Sequence, residues 1–289
     1  MLTSVDHIVL AVPDLGAAAA PFEKLGLRLS PVTRHAGAGT ENRALFVGRE
    51  NQFYVELLSV HDTEAARRTG RGDYVALIAK GGGAARLMFD CDDLGEADDR
   101  CARRNVTCER RTISREGGDK IADALIPDSG GAGCPVGMMA YATLRAERVA
   151  AREARGLLAH DFPLKRLDHL AIIAPKLDET VAFWGGVLGV QPFGEVAGRG
   201  MIIKQMKVGD AIVELLGPDT PDSPLASRPA GLIPMAAFEV PDLAAAVALA
   251  RERGFTLPDP AGGVLPGTRV STISPDQMGG LSLQLLEYV

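Results

Sequence analysis

With 289 residues, 46% of them apolar, the chain can bury one large core or two ordinary ones and is too hydrophobic for disorder. A formal charge of -6, with arginines scattered among acids, leaves no basic footprint for nucleic acid. Cys91, Cys101, Cys108 and Cys134 form no CxxC pair, no apolar run approaches about 18 residues, and no basic n-region precedes a signal-like core; structural zinc, a disulfide framework, a membrane span and export are all disfavoured, and the expected location is cytoplasmic.

In chain order, residues 4–13 read as a strand stopped by Pro13-Asp14, and the Ala-rich stretch 15–24 as a helix closed by Gly26. Strand-like runs at 27–33, 43–48 and 52–60 follow, separated by Gly-containing turns. A charged connection, 61–73, leads to a second unit. It has a strand at 85–91, a helix at 94–104 and strands near 106–112, 121–127 and 137–144, with Gly130-Gly131-Ala132-Gly133 as a mobile turn. Residues 145–160, rich in Ala, Arg and Glu, favour a helix and form the linker, which could also pack one half on the other. A third unit, 166–217, carries a helix at 177–187, and a Pro-rich loop follows at 218–224. The fourth begins near Gly231, with a strand at 235–240, a helix at 243–253 and strands near 256–259, 268–273 and 281–288.

The organising feature is an internal repeat. Val5-Asp6-His7-Ile8-Val9 returns as Leu167-Asp168-His169-Leu170-Ala171, and Tyr54-Val55-Glu56-Leu57-Leu58 as Ile212-Val213-Glu214-Leu215-Leu216. The chain is most simply four strand-helix-three-strand (βαβββ) modules, an α+β fold, divided into domains at 1–147 and 164–289. Paired modules would curve into open barrels with a ligand cavity on the concave side. Each repeated His and Glu admits two readings: an imidazole satisfied internally within a strand, or a metal ligand with carboxylate partners.

These motifs resemble the vicinal oxygen chelate superfamily, whose members include glyoxalase I, methylmalonyl-CoA epimerase, extradiol dioxygenases and antibiotic-resistance binding proteins. The stretch from Gly37 to Arg43 and Tyr54-Val55-Glu56-Leu57 carry the likeness in the first half. Ala237 to Leu243 and Pro266 to Leu283 carry it in the second. The resemblance implies two glyoxalase/bleomycin-resistance-like open barrels. Metal ligands would come from the first and last strands of the paired modules: His7 and Glu56, and His169 and Glu214. The corresponding places of module two hold Arg86 and Tyr141 or a neighbour, and those of module four hold Met235 and Gln284.

If consecutive modules pair, neither site is complete. If module one meets module three, within a chain or across a homodimer, His7, Glu56, His169 and Glu214 form a two-His, two-carboxylate set. Zinc, nickel, cobalt, manganese or iron could then polarise a carbonyl while Glu56 or Glu214 acts as base. A site without any metal is the other possibility. Candidate ligand-binding residues are Arg43, Tyr54, Arg86, Tyr141, Trp184, Arg199, Lys204, Met235, Arg269 and Gln284, with Phe183 as a further apolar wall. The expected function is a small-molecule lyase or isomerase acting next to a carbonyl or thioester. The alternatives are a metal-free binding or sequestering protein and an extradiol-type dioxygenase, for which only His169 fits. No membrane or nucleic-acid partner is expected.

Overall fold

A computed structural model describes residues 1–49, 52–130, 135–198 and 200–289. The first module comprises β1 (Leu2–Ala11), α1 (Leu15–Lys24), β2 (Thr33–Arg34), β3 (Thr40–Val47) and β4 (Phe53–Val60). Two short helices, α2 (Thr63–Arg68) and α3 (Gly72–Ile78), lead to β5 (Gly83–Cys91), α4 (Leu94–Arg103), β6 (Cys108–Ser114), β7 (Lys120–Pro127) and β8 (Val136–Tyr141). After helix α5 (Arg145–Ala154), the third module has β9 (Arg166–Ile173) and α6 (Leu177–Phe183), which continues as a π-helical turn, Trp184–Leu188. Strands β10 (Pro192–Gly198), β11 (Met201–Val208) and β12 (Ala211–Pro218) complete it. The fourth has β13 (Gly231–Glu239), α7 (Leu243–Glu252), β14 (Ala261–Gly262), β15 (Thr268–Ile273) and β16 (Ser282–Tyr288).

Helix starts recur with the repeat because an Asp ends the preceding strand. Asp14, Asp93 and Asp242 each accept a backbone N–H three residues on, at 2.8, 2.9 and 2.9 Å. Such a cap contributes about 1 kcal/mol. The third module has Lys176 at this place, and α6 starts without a side-chain cap.

The strands form two curled eight-stranded sheets, ordered β2-β3-β4-β1-β5-β8-β7-β6 and β10-β11-β12-β9-β13-β16-β15-β14. Module one therefore pairs with module two and module three with module four, through antiparallel β1–β5 and β9–β13 contacts. The crossed pairing of modules one and three does not occur within the chain.

Alternation along the strands gives each sheet two unlike faces. Ile8, Leu10, Val55 and Leu57 on one sheet, and Leu170, Ile172, Val213 and Leu215 on the other, enter a single core that also takes Phe22, Trp184 and Val247 from the helices. Phe53 meets Phe238 at 5.9 Å and Phe89 meets the edge of Trp184 at 5.6 Å, so the sheets stand convex side to convex side with helices between them. Each fully buried large apolar side chain there stabilises the fold by about 1.5–3 kcal/mol. The histidines, one residue out of phase with that core, face the two concave sides.

Three local expectations change. The 27–33 run keeps a lone bridge at Leu29, with the two-residue β2 beginning at its end, because Pro31 has no N–H to donate. The 256–259 run is not a strand; Pro258 and Pro260 interrupt it, and β14 lies at 261–262. The 61–73 connection holds α2, capped by Asp62, and the start of α3. The turn expected at 130–133 falls mostly outside the described residues. Linker helix α5 lies over the mouth of the first concave face, with Arg148 3.7 Å above the Tyr141 ring and Arg152 4.1 Å above Phe46.

Candidate functional site

The β1–β4 register places Glu56 beside Val9 and Tyr54 beside His7, so His7, Tyr54 and Glu56 project from the same face. His7 Nδ1 lies 2.6 Å from Asp6 Oδ2, and Nε2 lies 3.4 Å from Glu56 Oε2. The imidazole stacks on Tyr54 at 4.3 Å with 21° between the planes. Burial alone would lower the His7 pKa, but Asp6 and Glu56 outweigh it and raise it to about 9. Burial likewise opposes ionisation of Glu56, and hydrogen bonding and charge from His7 hold it down to about 2. His7 is thus an imidazolium between two carboxylates at neutral pH.

Phenols complete the outer side. Tyr141 donates to Asp6 at 2.7 Å, and the Tyr54 and Tyr141 hydroxyls are 3.4 Å apart. Burial, followed by the neighbouring negative charge for Tyr141, holds both phenols well above their usual range, so they remain donors.

The opposite wall comes from the loop before β3. Gly39 has φ +68°, and a Cβ there would stand 2.2 Å from Asp62 O, so the loop must close on α2 with glycine. That closure delivers His35, and Asn42 stands near the start of β3 just beyond the loop. His35 Nδ1 is 2.9 Å from Thr40 Oγ1, and its Nε2 lies 3.8 Å from Glu56 Oε1 and 3.3 Å from Asn42 Nδ2. Asn42 also donates to Glu56 Oε1. Burial lowers the His35 pKa, which leaves a neutral ring accepting at Nε2.

These groups line an inner cavity of about 110 Å³, with Arg71, Arg86 and Arg111 at its far side. An outer cavity of about 600 Å³ under α5 shares His35, Asn42 and Tyr54 with it. Arg86 donates to Asp73 at 2.7 Å, and Arg111 makes two 2.7 Å bonds to Glu109. Arg71 donates to Thr69 O at 2.9 Å.

The register locates the module-two positions. Arg86 occupies the place of His7, as expected. Gly137, beside Met88, occupies the place of Glu56. Tyr141 lies four residues beyond it and donates to Asp6, so the expectation of Tyr141 or a neighbour at the carboxylate place resolves to Gly137. A Cβ on Gly137 would be 2.6 Å from Met88 Sδ, so a larger residue there would require repacking.

The second half repeats the support and lacks the cavity chemistry. His169 Nδ1 is 2.8 Å from Asp168, which accepts from Tyr288 at 2.7 Å, the counterpart of Tyr141. Glu214 is buried beside Ala171, and among the described residues no ion pair links it to His169. Gln284 contacts Thr272 at 3.4 Å. Met235, half-buried, begins the parallel β13–β16 pairing opposite Ser282.

Several other candidates lie elsewhere. Trp184 is a core residue between the sheets rather than a cavity wall. Arg43 ties β3 to α1 through Glu23 at 2.6 Å. Lys204 pairs with Glu195, and Arg269 approaches Glu287 at 3.9 Å. Phe183 packs against the shared core, and Arg199 lies outside the described residues. His35, Arg71 and Arg111 are the functional candidates that sequence reading missed. His35 lies two residues before the stretch that carried the family likeness, whereas Arg71 stood inside what read as a charged connection.

The donor set does not match the two-His, two-carboxylate arrangement. His7 and His169 belong to separate sheets on opposite sides of the shared core, and Arg86 and Gly137 replace the module-two ligands. In the first cavity, Asn42 donates to both Glu56 and His35, occupying lone pairs a metal would need. Among the described residues, no group of three His, Cys, Asp or Glu side chains is placed to hold an ion.

Two pairs of βαβββ modules, the first with a polar concave cavity, make a tandem fold of the glyoxalase type. Residues 5–148 match the glyoxalase-like domain family, and residues 168–271 match the glyoxalase/bleomycin resistance protein/dioxygenase superfamily. The chain belongs to the vicinal oxygen chelate superfamily. Among solved structures it is similar to a hypothetical protein from Staphylococcus aureus, at 13% identity and a TM-score of 0.67, covering 99% of each chain. It is also similar to a mutant of 4-hydroxymandelate synthase from Streptomyces coelicolor, at 18% identity and a TM-score of 0.65, covering 99% of this chain and 93% of that one. A methylmalonyl-CoA epimerase from Mycobacterium tuberculosis matches 47% of this chain and 95% of its own, at 26% identity and a TM-score of 0.41. No curated protein matches the sequence. Among the described residues, no helix is long and apolar enough to cross a membrane.

Proposed function

We propose that the first half is a proton-transfer catalyst, an isomerase or lyase acting on a carbon next to a carbonyl, and that its cavity works without a bound metal. The observation that carries this reading is the Asp6–His7–Glu56 array, in which a buried acid and a buried base face one cavity. A substrate carbonyl oxygen takes the Nε2 proton donation that Glu56 otherwise receives. Glu56, relieved of that partner, gains basicity and removes the proton from the adjacent carbon, while His7 stabilises or protonates the oxygen of the resulting enolate. Return of the proton to the same carbon or a neighbouring one completes an isomerisation; loss of a leaving group from the next carbon gives a lyase. Asp6, held by Tyr141, fixes the imidazole and its charge but does not touch substrate.

The assay is deuterium wash-in. Small carbonyl and thioester compounds incubated in D2O are followed by proton NMR, with wild type expected to exchange the acidic C–H of at least one of them and Glu56→Gln expected to slow it at least 100-fold. Equal exchange by Glu56→Gln would overturn the assignment, and binding without exchange in wild type would establish a binding protein instead. A dioxygenase in the second half is not favoured, because Met235 and Gln284 stand where further ligands to an iron beside His169 would be needed.

A further inference from the structure

Arg71 has more positive charge than its surroundings answer. Its side chain belongs to a residue only 8% exposed and lines the inner cavity, yet its hydrogen bond at 2.9 Å goes to a backbone carbonyl, Thr69 O. Among the described residues, no carboxylate lies within ion-pair distance of it. The other two cavity arginines differ: Arg86 is answered by Asp73 and Arg111 by Glu109, and both acids line a neighbouring cavity on the far side. Burial and the adjacent Arg111 lower the Arg71 pKa, as expected for a guanidinium short of counter-charge.

A guanidinium held largely out of water with no carboxylate partner destabilises the fold unless something pairs with it. Glu56 faces the same cavity but is engaged by His7 and Asn42. The other cations facing the cavity are answered, Arg86 by Asp73, Arg111 by Glu109 and His7 by Asp6 and Glu56, which leaves Arg71 among the described residues as the cavity cation with no carboxylate at ion-pair distance. Arginine is also the side chain whose planar donors match a carboxylate or phosphate in two-point contact.

We propose that the inner cavity binds the anionic group, a carboxylate or phosphate, of a small substrate on Arg71. About 110 Å³ admits a molecule of only a few heavy atoms, or the anionic end of a longer one that extends into the outer cavity. The anion assignment stands on Arg71 alone. Placing the carbonyl of that substrate at His7, which makes it a small oxo acid or an oxo phosphate, rests on the proton-transfer reading above.

The test is calorimetric titration at fixed ionic strength with pyruvate, its uncharged amide and inorganic phosphate, using wild type, Arg71→Met, Arg71→Lys and Glu56→Gln. Pyruvate or phosphate is expected to bind wild type, and the amide at least 10-fold more weakly. Pyruvate binding alone assigns a carboxylate site and phosphate binding alone a phosphate site. Arg71→Met is expected to lose at least 10-fold in affinity while its urea midpoint without ligand is unchanged or higher, since an unanswered charge has been removed. Arg71→Lys keeps the charge but not the paired donors, and weakens binding at an unchanged midpoint. No binding of either anion to wild type, equal binding of the amide, or undiminished affinity in both Arg71 variants would overturn the proposal. If Arg71→Met fails to fold while Arg71→Lys binds normally, Arg71 is a structural residue and the proposal is also overturned. Glu56→Gln separates the two readings: retained anion affinity with undiminished deuterium exchange would defeat the proton-transfer reading and leave the anion site standing.

Discussion

Replacing Glu56 by Gln removes the negative charge 3.4 Å from His7 Nε2 and nearly preserves shape. The His7 side chain is 5% exposed, so its charge is little screened. The rise from 6.5 to about 9 corresponds to about 3 kcal/mol of pH-dependent stability. Because the folded-state pKa is raised, that contribution is fully present below pH 6.5 and is lost as pH climbs through about 9. Two measurements follow: the His7 pKa by NMR, and urea midpoints from pH 6 to 10 for wild type, Glu56→Gln and His7→Gln. The advantage of wild type over His7→Gln should shrink by about 3 kcal/mol across that range. Glu56→Gln should show a lower His7 pKa and a shallower loss, since Asp6 still holds Nδ1. A constant difference between wild type and His7→Gln, or a wild-type His7 titrating near 6.5, would refute the buried imidazolium.

Glu56 carries the opposite sign: its folded pKa of about 2 gives stability that is present above about 4.5 and lost as pH falls through 2, which acid denaturation of Glu56→Gln against wild type would show as a reduced acid sensitivity. Tyr141→Phe should cost about 1–3 kcal/mol in urea denaturation by leaving Asp6 without its phenol donor. Phe89→Ala, which opens the contact between the halves at Trp184, should cost about 3–5 kcal/mol. His169→Asn and Glu214→Gln should leave any Glu56-dependent exchange within about twofold of wild type, and dialysis against EDTA should do the same; a large loss from either treatment would place a metal or the second half in the reaction.

The modules were legible because strand alternation, Asp caps and the repeated Asp-His and Glu positions are local signals. Asp14, Asp93 and Asp242 show this well, each stopping one element and starting the next. Module pairing was not legible, since it depends on which concave face closes on which neighbour, and β1 could have met β9 as readily as β5 by sequence pattern. Half of the site was visible in His7, Glu56, Tyr54 and Arg86, all placed by strands. The other half was hidden for different reasons. His35 arrives on a loop whose path is set by the close approach of Gly39 to Asp62, and Asn42 stands near the start of β3 just beyond that loop. Arg71 looked like one more charge in a polar connection, and only the short helices α2 and α3 turn it inward. Tyr141 was noticed for the wrong office, because a four-residue offset along β8 separates a position beside Met88 from one that reaches Asp6.

Helix α5 joins the halves and also roofs the outer cavity, yet none of its residues is buried. Its hold on the first sheet comes from arginines laid on the Tyr141 and Phe46 rings and from polar contacts such as the one from Arg152 to Gln52. An element with so little buried area opens at lower free energy than the sheets on either side of it. The tether between the halves is therefore expected to fray before either sheet does. Occupancy beneath it would be recorded as slower amide exchange across residues 145–154, a signal that needs no knowledge of the chemistry inside.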